Sequence, residues 1–145
     1  MGVALEMIKL HFYHGTGLIG RLIRRFTWGE YAHVAIEVDG WTYEALEGKG
    51  VIKHKSTRNP DLTLRAPDIV KAKLLEYLES KVGLKYDWWG IYSFIARKKR
   101  QDANKLFCSE YAASAFEYAQ MPLLERVEAW KISPSMLSCT PLLHE

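Results

Sequence analysis

The chain has 145 residues, with 20 Lys and Arg against 17 Asp and Glu for a net charge of +3. That length suits one domain with a sizeable core, and so mild a charge gives no argument for a nucleic-acid partner. The composition, 48% hydrophobic and 26% charged, is that of an ordinary soluble globular protein, and no stretch approaches the roughly 20 consecutive apolar residues of a membrane span.

The opening "MGVALEM" lacks the basic start, long apolar run and small-residue cleavage site of a secretory signal. It reads as a leader before a second start at Met7, so residues 1–6 are set aside and 7–145 are read as a single domain. "MIKLHFY" (7–13) alternates apolar and polar residues and predicts a strand. "GLIGRLIRRF" (17–26) has the apolar spacing of an amphipathic helix, and its basic cluster reads as a solvated face, as does "ARKKRQ" (96–101). "AHVAIEV" (32–38) is a strand, Asp39-Gly40 a tight turn, and "WTYEALE" (41–47) the returning strand.

"GVIKHKS" (50–56) reads as a third strand and "RNPDLTLRAP" (58–67) as a loop or short strand. "DIVKAKLLEYLESKVG" (68–83) predicts a helix capped by Asp68, preceded by Pro67 and ended by Gly83. "YDWWGIYSFIA" (86–96) predicts an aromatic helix, with Trp88 or Trp89 bordering a groove or the surface. A third helix starts at Cys108, and the tail "KISPSMLSCTPLL" (131–143) reads as irregular. Strand, helix, meander and then three helices indicate an α+β fold, an antiparallel sheet packed against helices.

Two cysteines, Cys108 and Cys139, make no disulfide framework. Both are expected to be free thiols in a reducing compartment, and with no secretory signal a cytoplasmic location is expected. Cys108 opens its helix, where unpaired N–H groups and the positive end of the dipole favour a reactive thiolate. A thiolate of this kind needs a base and an orienting acid. Of the five histidines, His144 lies in the tail and His54, between lysines, reads as exposed. His33 opens the strand "HVAIEV", on the face it shares with Ala35 and Glu37 and opposite the core face of Val34, Ile36 and Val38. The hairpin brings Glu44 and Glu47 beside it as candidate acids. A metal site of His11, His14, His33 and Cys108 is disfavoured, because H-x-x-H on a strand splays its histidines. Neither metal nor cofactor is expected.

The set "HGTG…YAHVAIEV…YEA", "YDWWG…F", "FCSEYAASAF" and "ISPSML", in this order from about residue 9 to about residue 137, resembles the permuted papain-like amidases. These form the circularly permuted branch of the NlpC-type cell-wall hydrolase superfamily, related to lecithin:retinol acyltransferase-like enzymes. The residue before His33 is Ala32, where the family often has serine. The resemblance implies a cysteine helix whose N-terminus faces the histidine strand, with Cys108 as nucleophile, His33 as base and Glu44 as orienting acid, Glu47 being the fallback. It implies a cysteine hydrolase of amidase or peptidase type on a peptide, peptidoglycan-fragment or lipid-amide substrate, working as a monomer. An acyltransferase or esterase, or an inactive binding module of the same fold, are the alternatives.

Overall fold

Apolar residues at every second position build the first strand, and the same period recurs through the sheet. The computed structural model describes residues 8–14, 21, 29–46, 48–86, 105–106 and 108–145. Five strands, β1 (Ile8–Tyr13), β2 (His33–Val38), β3 (Trp41–Leu46), β4 (Gly50–His54) and β5 (Leu62–Ala66), form one antiparallel sheet in the order β4-β3-β2-β1-β5. With the three helices described below, this is an α+β architecture. Between β2 and β3, Asp39 and Gly40 both have positive φ, 53° and 83°, which the expected two-residue hairpin requires.

The register gives the sheet two unlike faces. Ile8, Leu10 and Phe12 of β1, Val34, Ile36 and Val38 of β2, and Tyr43 and Ala45 of β3 share one face and are buried in the core. The opposite face carries His11, Tyr13, His33, Glu37, Glu44, His54 and Thr63. Because β4 and β5 lie at opposite edges, residues 55–61 must cross the sheet to join them. They cross on the polar face, where Arg58 lies over the Tyr13 ring. Residues 58–61, expected as part of a loop or short strand, belong to this strap, and β5 begins after it.

Helix α1 (Lys71–Lys81) buries Leu74 and Leu78, four residues apart, against the apolar face. It is shorter than the sequence suggests. Residues Asp68–Val70 form a 3₁₀ turn, and Asp68 caps nothing, because the cap position is held by Pro67, which has no side-chain acceptor. Gly83, at φ +99°, ends the segment as expected. After it, β6 (Lys85–Tyr86) pairs in parallel with β7 (Lys105–Leu106), so Tyr86 is in a strand instead of opening a helix. The rest of the expected aromatic helix, its tryptophans, the loop 97–104 and all of the helix expected over 17–26 except Arg21 lie outside the described residues.

Gly50 is needed where β4 meets this segment. Its φ is +81°, and a Cβ there would fall 2.2 Å from the Leu84 carbonyl oxygen. The close approach lets Val51 donate to Leu84 and accept from Gly83, both at 2.8 Å.

Helix α2 (Cys108–Tyr118) lies against β2, β3 and α1 and buries Cys108, Ser109, Tyr111, Ala112, Ala115 and Phe116. Small residues on that face allow the helix to approach the sheet closely. The Tyr111 hydroxyl donates to the Leu78 carbonyl at 2.7 Å, capping an oxygen in the last turn of α1. The tail is more ordered than its composition suggests. Pro134–Ser138 is a short helix, α3, opened by Ser133, whose hydroxyl accepts from Met136 N–H at 3.1 Å, with Pro134 in its first turn. His144 exchanges two backbone hydrogen bonds with Arg65 on the outer edge of β5. Among the described residues, no helix is long and apolar enough to cross a membrane.

Candidate active site

The hairpin parity decides which acid can reach His33. Thr42 pairs with Glu37, so Glu44, two residues on, shares the face of Glu37 and His33. Its Oε1 lies 2.7 Å from His33 Nε2. Glu44 therefore holds the position for which Glu47, outside the described residues, was the fallback. With Nε2 engaged, Nδ1 is the nitrogen left for a partner on the other side of the ring. Cys108, at the first turn of α2, stands beside the histidine: its sulfur lies 4.0 Å from the carbonyl of Ala32, the residue before His33.

Two further contacts set where His33 stands. Ala32 N–H donates to the Tyr13 carbonyl at 2.9 Å, continuing the β1–β2 ladder past the strand. The Ser135 hydroxyl of α3 accepts from Tyr31 N–H at 2.8 Å and donates to the Tyr31 carbonyl at 3.2 Å. One side chain thus fixes both backbone groups of the residue two before the histidine. This gives the "ISPSML" motif a structural use. Tyr13 completes the wall, its ring centroid 5.7 Å from that of His33.

Glu44 is fully buried, which for a lone carboxylate would be strongly unfavourable. It is matched by three donors. His33 and Arg58 both reach Oε1, and His54 Nε2 reaches Oε2 at 2.5 Å. Burial pushes its pKa up, but hydrogen bonds from His33 and His54 and the charges of His33 and Arg58 outweigh it and hold it at about 2. For His33, burial favours the neutral ring, yet Cys108 first and Glu44 second raise its pKa from 6.5 to about 9. At neutral pH the arrangement is a carboxylate holding an imidazolium beside a cysteine sulfur.

His54 was expected to be exposed, but it folds onto Glu44 with its side chain 34% accessible. Lysines on either side in sequence project to the other face of β4 or follow the strand's end, so they say nothing about the histidine between them. Arg58 gave no local signal, since it arrives on the strap. The other histidines are elsewhere. His11 contacts Thr63 and Glu37, while His14 lies near Glu30 and Asp61 and against the Tyr31 ring. Cys139 is exposed and, like Cys108, free. No family model and no curated protein matches this chain.

Proposed function

We propose that the protein is a cysteine hydrolase of amidase or peptidase type with a circularly permuted papain-like fold, in which Cys108 is the nucleophile, His33 the general acid and base, and Glu44 the orienting acid. The observation that carries this reading is the convergence, on one buried carboxylate–imidazole pair, of a cysteine at a helix start. In the permuted order the histidine strand precedes the cysteine helix, as in this chain.

The Cys108 sulfur attacks the acyl carbonyl carbon, forming the C–S bond and placing negative charge on the oxygen. Backbone N–H groups in the first turn of α2 are suited to receive that charge. His33 delivers its proton from Nδ1 to the departing amine nitrogen as the C–N bond breaks, leaving a thioester and a neutral ring. The ring then takes a proton from water, whose oxygen attacks the thioester and releases the acid and the sulfur. Glu44 stays ionised throughout, keeping the ring's orientation and stabilising the imidazolium. An acceptor other than water would make the same thioester an intermediate of acyl transfer or ester chemistry. Peptides, peptidoglycan fragments and lipid amides all offer the required carbonyl, and the expected setting is cytoplasmic.

A second reading, an inactive binding module of this fold, is favoured by one observation: Cys108 is only 2% exposed. Alkylation separates the two. With iodoacetamide near neutral pH, peptide mapping of the hydrolase should find Cys108 modified much faster than Cys139, and slower in His33→Ala. Slow modification of Cys108 that is indifferent to His33 rules out the hydrolase.

A further inference from the structure

We propose that His54 and Arg58 are positioning residues, which clamp the Glu44 carboxylate from two sides so that its Oε1 stays on His33. The inference rests on the functional reading above. Neither residue contacts Cys108, so neither is assigned a catalytic role.

A glutamate's terminal torsion is soft and roughly two-fold, so nothing within Glu44 itself fixes the plane of its carboxylate. The plane must be set by the donors around it. His54, on β4, holds Oε2 at 2.5 Å. Arg58, on the strap, reaches Oε1, the oxygen that also serves His33. With Oε1 and Oε2 tied in different directions, rotation about the last bond would break at least two contacts. The Arg58 guanidinium itself lies over a ring, its central carbon 4.4 Å from the centroid of Tyr13, which also flanks His33. The ionisable groups around Glu44 are thus His33 from β2, His54 from β4, Tyr13 from β1 and Arg58 from the strap, with Cys108 of α2 beyond His33. Groups from three strands and the strap thus converge on one carboxylate.

Charge alone would act with the opposite sign. If His54 and Arg58 merely shared Glu44's negative charge, weakening either would leave more of it for His33 and raise the histidine's titration midpoint. If they position the carboxylate, weakening either lets Oε1 turn away and the midpoint falls toward the ordinary 6.5. The direction of the shift therefore decides.

The test follows the His33 ring nitrogens by NMR through the neutral and alkaline range in the full chain. His54→Gln keeps an N–H donor at nearly the reach of Nε2 and should titrate like the wild type. His54→Asn is a side-chain carbon shorter and should lower the midpoint by about one pH unit or more. Arg58→Lys keeps the charge but loses the planar fork that stacks on Tyr13, and it should lower the midpoint likewise. An unchanged or raised midpoint in either His54→Asn or Arg58→Lys overturns the proposal, as does a lowered one in His54→Gln. These conservative replacements preserve polarity, and the readout needs no substrate. Iodoacetamide modification of Cys108 in the wild type and in His33→Ala, measured alongside, reports on the hydrolase reading separately.

Discussion

The polar face of the sheet carries two histidines with parallel surroundings. His33 has Glu44 on Nε2, and the Cys108 sulfur lies 4.0 Å from the carbonyl of the residue before it. His11, on β1, has Glu37 Oε1 at 3.1 Å from Nε2 and the Thr63 hydroxyl at 2.8 Å from Nδ1. Both are rows of carboxylate, imidazole and a thiol or hydroxyl, built on pairs of neighbouring strands. They differ in what stands behind the acid and in front of the ring. Glu37 is 28% exposed, and its other partner, the Lys9 ammonium, stands 3.9 Å away; Glu44 is fully buried with three donors. Thr63 sits within a strand, whereas Cys108 opens a helix. Cross-strand geometry alone makes such rows cheaply. What sets one apart is burial of its acid and a thiol supplied by another layer.

The largest contrast should be in stability. Glu44→Ala empties a buried site and leaves the part-buried His33 and its neighbours without their carboxylate, and it should lower the unfolding free energy by about 3 kcal/mol or more. Glu37→Ala, at a partly solvated pair, should lower it by less than about 1 kcal/mol. Urea denaturation measures both, and equal losses would erase the distinction drawn between the two rows.

Reactivity is the next contrast. His33→Ala should slow iodoacetamide modification of Cys108 near neutral pH by about tenfold or more, because a free cysteine is only a few per cent thiolate there. His11→Ala should leave the rate as it was. A comparable drop in both variants would mean that the sheet as a whole, and not its buried acid, prepares the thiol.

A smaller effect separates the rows by pH. The pKa of His33 is raised from 6.5 to about 9, so its contribution to stability is complete below pH 6.5 and fades as the pH rises through about 9. Glu44 is lowered from 4.5 to about 2, so its contribution is complete above pH 4.5 and fades as the pH falls through about 2. Stability measured against pH should therefore be highest between about 4.5 and 6.5. Glu44→Gln should flatten the acid limb, and Glu37→Gln should leave it in place.

The smallest effect sharpens the comparison from the other side. Thr63→Cys puts a thiol beside His11 without a helix start, and peptide mapping should find it modified no faster than Cys139. Modification as fast as that of Cys108 would show that a histidine neighbour suffices.

The neighbourhood of His33 was legible in the sequence because the turn at Asp39-Gly40 brings the returning strand beside it. The sequence left Glu44 and Glu47 both open, the resemblance pointed to Glu44, and the register of the hairpin places Glu44 on His33. The helix at Cys108 was legible from its spacing. His54 and Arg58 were not, because the route that brings them to Glu44 is set by strand order, with β4 and β5 at opposite edges and a strap between them. No periodicity in residues 55–61 encodes that crossing. Helix α3 was missed for a different reason. Its start signal, Ser133 followed by Pro134, stands among polar and proline residues that read equally well as a turn, and only burial of Leu137 distinguishes the two. Asp68 shows the converse error, a good capping residue placed one position inside the turn it was expected to open.

The Ser135 hydroxyl holds Tyr31 across 104 residues of chain. During synthesis, when the chain emerges N-terminus first, the histidine strand can be complete and the cysteine helix already formed while the anchor that seats the residues before His33 is still to be made. Cys108 and His33 are then both present in a chain that still lacks the contact holding Tyr31, and that contact waits for residue 135.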